Sequence, residues 1–231
     1  MRTLGLIGGM SWESTVPYYR RINEAVRERL GGLHSARLIL FSVDFDAVER
    51  LQRAGHWDAA GALLAQAAVA LQGAGAEGLV ICTNTMHKVA EQVQAAVSIP
   101  LLHIADPTAA AVKAAGLSNV GLLGTRFTME QAFYRARLQA RHGLAVQVPE
   151  EAERARVHAI IYEELCRGVV REPSRQVYRE VIAGLVARGA QAVILGCTEI
   201  ALLVGPEDAP VPLFDTTALH ADAAAAWSLQ G

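Results

Sequence analysis

Short apolar runs rich in β-branched residues alternate along the chain with longer stretches whose apolar side chains recur every three or four positions. The runs TLGLI at 3–7, ARLILFSV at 36–43, LVIC at 79–82 and AVILG at 192–196 are bounded by glycine or polar residues and read as buried parallel strands. The periodic stretches read as helices. One starts around Ser11 to Ser14, carries Val16, Tyr19, Ile22, Val26 and Leu30 in step, and is stopped by Gly31 and Gly32. A second covers 57–72 with Leu63, Leu64, Ala67, Ala68 and Leu71 on its apolar face, and a third starts near Met86. Further helices are predicted around 128–141, 151–167, 173–187 and 216–229. Pro173 opens the 173–187 segment where a proline suits the first turn, and Val177, Val181, Ile182 and Leu185 supply its buried face.

Two of the strands belong to near copies of one segment. GAQAVILGCTE at 189–199 follows GAEGLVICTNT at 75–85 without gaps, placing Gly75 over Gly189, Ala76 over Ala190, Cys82 over Gly196 and Thr83 over Cys197, an offset of 114. VPLFDTT at 211–217 echoes IPLLHIAD at 99–106 at an offset of 112, and NVGLLGT at 119–125 echoes TLGLIGG at 3–9 at 116. Three matches in register argue for a duplicated α/β unit of ordinary domain size. The expected fold is two pseudo-symmetric α/β domains, each a parallel sheet flanked by helices: residues 1–98, to which 212–231 return, and residues 99–211. Open α/β sheets bind ligands beyond the carboxyl ends of their strands, so two such ends facing one cleft would define the active site.

Composition narrows the partners. A chain of 231 residues, 52% hydrophobic and 19% charged, buries a sizeable core. Its 21 basic and 23 acidic residues leave a net charge of −2, which gives no field for nucleic acid or an anionic membrane. Small-molecule work fits better. No apolar run approaches membrane-spanning length, and the opening MRTLGLIGGMSWES is too short for a secretory signal, so a cytoplasmic protein is expected. Cys82, Cys166 and Cys197 are then thiols. Seven scattered histidines without CxxC or HExxH spacing predict no metal. G-L-I-G-G is not a dinucleotide fingerprint and no G-K-[ST] occurs; the plainer reading is a tight turn bringing backbone amides near an anion.

The candidate chemistry sits on the paired loops. Cys197 follows a strand, where backbone N–H groups and a helix dipole could lower its thiol towards neutrality and make a thiolate base available. Asp44 and Asp46 invite an acid/base role, but helix capping and a solvated face account for them more simply. Cys166, in YEELCRG, has no counterpart in the first copy and reads as a structural thiol.

GLIGGMSWEST at 5–15, SVDF at 42–45, CTNTMHK at 82–88 and GCTEI at 196–200 together resemble the cofactor-independent aspartate/glutamate racemase superfamily, most closely its broad-specificity amino-acid racemases. The resemblance implies racemisation of an acidic or polar amino acid of the aspartate, glutamate or homoserine class. It also implies no pyridoxal phosphate, and commonly a homodimer. Two cysteines usually flank the substrate in that superfamily, one removing the α-proton and the other reprotonating the opposite face. Here the Cys-Asn-Thr pattern falls on Thr83-Asn84-Thr85, so Thr83 stands in one cysteine slot and Cys197 in the other, with Cys197 facing the L-enantiomer. Cys82 is one residue out of register, and such a slip turns a strand side chain to the other face. By the same resemblance Met10, Gln52, Asn84, Thr85, Thr198 and Glu199 line the substrate pocket. Asn84, Thr85 and Thr198 donate to the α-carboxylate, and Glu199 holds the ammonium where glutamate racemases carry a histidine.

Two other readings stay open at the level of sequence. Duplicated α/β domains also make non-catalytic binding clefts, and the same superfamily scaffold serves isomerases and decarboxylases of related carbon acids. Arg50, Arg53 and Arg167 are candidates for a distal carboxylate without matching the dedicated aspartate racemases cleanly.

Overall fold

The computed structural model describes residues 1–230, which divide into two compact units: Met1–His103 with the chain from His220 onward, and Ile104–Leu219. The first contains β1 (Leu4–Gly8), α1 (Trp12–Leu30), β2 (Leu38–Ser42), α2 (Phe45–Ala54), α3 (Trp57–Gly73), β3 (Gly78–Ile81), α4 (Ala90–Ala95) and β4 (Leu101–Leu102). The second contains α5 (Ala105–Ala114), β5 (Asn119–Gly124), α6 (Arg126–Glu130), α7 (Ala132–His142), β6 (Ala145–Gln147), α8 (Glu151–Glu163), α9 (Glu172–Ala187), β7 (Ala192–Gly196) and β8 (Leu213–Asp215). α10 (Thr216–Leu229) starts in the second unit and ends in the first. β4 extends the first sheet beyond residue 98, and the chain returns to that unit at His220.

Each sheet is parallel and four-stranded, in the orders β2-β1-β3-β4 and β6-β5-β7-β8. This is one topology used twice, and the repeat extends to single hydrogen bonds. Ala76 N–H donates to Leu71 O at 3.0 Å and Ala190 N–H to Leu185 O at 3.1 Å; Leu79 N–H donates to Pro100 O at 2.8 Å and Val193 N–H to Pro212 O at 3.0 Å. Gly75 and Gly189 hold φ of 97° and 94°, a region that favours glycine, and so turn each helix into its strand alike. A Cβ on Gly5 would stand 3.1 Å from Leu71 Cβ and one on Gly121 2.8 Å from Leu185 Cδ1, so both central strands need glycine where the crossover helix presses closest.

Strand alternation fixes the faces. In β3, Leu79 and Ile81 pack with Ile7 and the buried side of α3, whereas Val80, and Cys82 just beyond the strand, pack with Leu4, Leu6 and the buried residues of α1 and α10. In β7, Val193 and Leu195, with Cys197 just beyond the strand, pack with α8 and α9, whereas Ala192 and Ile194 pack with α5 and α7. Burial of each large apolar side chain contributes about 1.5–3 kcal/mol, so reversing a register would be costly across the whole strand.

Two expectations shift. The buried face of α1 is Ser14, Thr15, Tyr18, Ile22 and Val26, while Val16 and Tyr19 face outward at 47% and 56% exposure. Tyr18 wins the inner position because its ring packs inward and its hydroxyl reaches His220 at 2.9 Å. β2 is an edge strand with Leu40 and Phe41 exposed, so its uniform apolarity does not mean burial on both faces.

Candidate active site

In the first unit the chain beyond β3 runs directly into the loop carrying Thr83, Asn84 and Thr85, which leads through the 3-10 turn Thr85–Val89 into α4. Asn84 and Thr85 are buried, and Thr83 is 8% exposed. Cys82, by contrast, is wholly enclosed in the α1 and α10 core, and burial pushes its thiol far above the ordinary range. Its face is that of Val80, while Thr83 continues the face of Leu79 and Ile81. Beyond the neighbouring β1, Gly9 (φ 88°) turns the chain and donates its N–H to Thr15 Oγ1 at 2.8 Å. Met10 lies in the same apolar cluster as Met86, and Gln52 of α2 directs its Nε2 to Met86 Sδ at 3.0 Å. Gln52 is thus tied to the cluster that holds Met10 and Met86.

The corresponding strand end of the second unit is a compact acid cluster. Cys197 Sγ donates to Glu199 Oε2 at 3.0 Å, and Thr198 Oγ1 donates to the same oxygen at 2.7 Å. Cys166, from the 3-10 turn Leu165–Arg167 after α8, directs its Sγ at Glu199 Oε1 from 3.8 Å. Glu199 is 2% exposed and Cys197 6%. Burial first, then the Glu199 carboxylate and Cys166, push the Cys197 thiol well above its ordinary value. This reverses the expected lowering. The turn after β7 is only the three-residue Ile200–Leu202, too short for a helix dipole of consequence, and the charge nearest the sulfur is negative. Cys197 therefore rests as a thiol whose proton is held by Glu199.

The remaining candidates separate. Asp44 caps α2, accepting from Asp46 N at 3.3 Å, and Asp46 pairs with Arg50 at 2.8 Å on the exposed face. Arg53 is committed loosely to Glu49 at 3.8 Å, and Arg167 is exposed.

With this geometry in hand, the comparison with known proteins is decisive. The model of the Asp/Glu/hydantoin racemases matches residues 7–224. The chain belongs to this family. A Yersinia pestis protein, solved as a candidate Asp/Glu racemase, is 59% identical over the full length of both chains with a TM-score of 0.92. An aspartate racemase homologue from Pyrococcus horikoshii is 34% identical over 99% of this chain and 100% of its own, with a TM-score of 0.84. The broad specificity amino-acid racemase RacX of Bacillus subtilis is 22% identical over 93% of each chain. This racemase-family chain is accordingly an enzyme of the isomerase class.

Two members of the site were not assigned from sequence. Cys166 stands 33 residues from Glu199, and nothing local announces that α8 delivers it there. His87 lies inside the CTNTMHK motif; its Nδ1 stands 2.8 Å from Thr83 O, and the signal that could have found it is the four-residue spacing on a turn.

Proposed function

We propose that this enzyme racemises a small acidic or polar amino acid of the aspartate, glutamate or homoserine class, with Cys197 and Thr83 exchanging protons with opposite faces of Cα. One observation carries the reading: Thr83 and Cys197 stand at the same position just beyond the equivalent strand in the two copies of the unit, whereas Cys82 corresponds to Gly196 and faces the core. Both acid/base groups come from the chain, so the proposal routes no step through pyridoxal phosphate or a metal.

The resting thiol sets the order of events. A zwitterionic substrate whose ammonium approaches Glu199 offsets the negative charge beside Cys197, so the thiol gives its proton to solvent as the substrate binds and a thiolate remains. It removes the α-proton from the enantiomer it faces. Negative charge then spreads into the α-carboxylate, where donors from Asn84, Thr85 and Thr198 stabilise it. Thr83 gives its hydroxyl proton to the other face and takes one back from solvent as product leaves, while Cys197 exchanges the proton it removed with solvent. A threonine hydroxyl is a far weaker acid than a thiol, so the two directions differ in kcat and KM while kcat/KM stays equal, as equal free energies of enantiomers require.

The reading also includes a cytoplasmic homodimer, supported by the outward, unpartnered Trp12, Val16 and Tyr19 along α1. No described helix is long and apolar enough to cross a membrane. The test of function is incubation of aspartate, glutamate and homoserine in D2O, following Cα deuterium by NMR and configuration by chiral chromatography. Deuterium entry with inversion is expected for at least one; binding without either would overturn the proposal.

A further inference from the structure

Behind the Thr83 loop lies a group of side chains that the proton transfers above do not use. His87 is buried, and because the Thr83 carbonyl at 2.8 Å can only accept, its Nδ1 carries the hydrogen. The His103 and His220 rings meet the His87 ring edge-on, with centroids 4.5 Å and 5.8 Å away. His220 is itself fixed at both nitrogens: Nε2 donates to Leu102 O at 2.8 Å, and Nδ1 lies 2.9 Å from the Tyr18 hydroxyl. Among the described residues no group of three or more His, Cys, Asp or Glu is placed to hold a metal ion.

We infer that His87 is a positioning residue, holding the Thr83 peptide so that the threonine hydroxyl meets Cα at the angle proton transfer needs. The inference rests on the assignment of Thr83 proposed above. The peptide before Thr83 is anchored by Cys82 N–H to Ile7 O at 2.9 Å, in the ladder with β1. Beyond Thr83 the ladder ends. There His87 contributes two hydrogen bonds to the chain, its own N–H donating to Asn84 O at 3.0 Å and its side chain to Thr83 O. A weakly acidic hydroxyl depends on geometry more than on its resting acidity, and small misplacements of a reacting group lower rates steeply. The clamp of His103 and His220 makes the imidazole a fixed post, braced through Tyr18 on α1 and Leu102 on β4.

The test is a partition ratio, which neither protein concentration nor a partly folded sample alters. The enantiomer on which Cys197 acts, taken from whichever of aspartate, glutamate and homoserine wild type turns over fastest, is incubated in D2O. Deuterium is then counted in recovered substrate and in inverted product. His87→Leu is expected to shift the ratio of inversion to retention downward by about tenfold, the scale of one lost hydrogen bond expressed in a barrier. His87→Asn, whose amide N–H can replace Nδ1–H, should return it to within about twofold, while His87→Gln, with its N–H at the far end, should not. In a Thr83→Ala background His87→Leu should add no further shift. An unchanged ratio in His87→Leu, or an equal further shift without Thr83, would overturn the inference. Should the leucine variant not fold, the asparagine and glutamine pair makes the same comparison. Absence of Cα deuterium with wild type would overturn the racemase reading, and this inference with it.

Discussion

Replacing Glu199 by glutamine should make Cys197 more nucleophilic and the enzyme slower, two effects of opposite sign from one substitution. The carboxylate oxygen lies 3.0 Å from the sulfur, and both groups are buried. With charge centres about 4 Å apart and an effective dielectric of about 20, the repulsion between carboxylate and thiolate is roughly 4 kcal/mol. Each 1.36 kcal/mol is about tenfold in thiolate population, so the ceiling approaches three decades. Burial still opposes ionisation, and a glutamine amide cannot accept from Cys197 and Thr198 as a carboxylate does. An increase of about tenfold or more is expected after those losses. The assay is iodoacetamide alkylation near pH 8 in a Cys82→Ala/Cys166→Ala background, which leaves one thiol; access to the sulfur is common to both proteins, so their ratio reports ionisation. Cα exchange measured on the same samples should fall, because the ammonium has lost its partner. Alkylation unchanged or slowed by Glu199→Gln, with the melting temperature preserved, would show that the carboxylate does not hold the thiol proton.

Cys197→Ser should abolish Cα exchange with the fold intact by circular dichroism, since an alcohol supplies no thiolate near neutral pH; near-wild-type turnover would remove Cys197 from the mechanism. Thr83→Cys should raise turnover and bring the exchange behaviour of the two enantiomers together, whereas Cys82→Ala should leave activity nearly unchanged and lower stability by about 1 kcal/mol from the small cavity. Loss of activity in Cys82→Ala with activity kept in Thr83→Ala would reverse the register argued here. The third concerns Asp208, whose side chain is enclosed by Arg175 at 3.1 Å and Arg179 at 2.7 Å. Burial pushes that carboxyl up, but the Gly205 N–H and the two guanidinium groups outweigh it and hold it below the ordinary carboxylate range. Its contribution to stability is therefore present above about pH 4 and lost as pH falls through the lower folded value. The melting-temperature gap between wild type and Asp208→Asn should be widest near neutrality and close in acid; a gap that widens in acid would contradict this.

The strands and their duplication were legible because β-branched runs ending in glycine or polar turns leave few alternatives, and because Gly-Ala recurs before both β3 and β7. Helix ends were legible where glycine or proline marked them, as at Gly31 and Pro173. The face of α1 was not: Tyr18 and Tyr19 are adjacent and equally apolar, and the cluster around Leu4, Leu6 and Val80, with His220 some two hundred residues on, selects one. The Thr83 and Cys197 register could be read from the repeat, since strand alternation converts an offset into a direction. The acidity of Cys197 could not. GCTEI places a carboxylate two residues from the thiol, but whether it folds back onto the sulfur depends on the tightness of the following turn. Cys166 reaches the cluster through the length of α8, a tertiary fact with no local signature.

The helix after the fourth strand is exchanged between the halves: α5 follows β4 yet belongs to the second core, and α10 follows β8 yet supplies Ala221, Ala224 and Ala225 to the first. During synthesis this separates the two halves in time. The second unit is one uninterrupted stretch and can close as soon as Leu219 has emerged, whereas the first, although made earlier, lacks the α10 part of the cluster around Leu4, Leu6, Tyr18 and Ile22 until the chain beyond His220 arrives. The later half is thus the first to be finished. A nascent chain halted with Leu219 just outside the ribosome would present a completed domain downstream of an apolar sheet face still lacking its last helix.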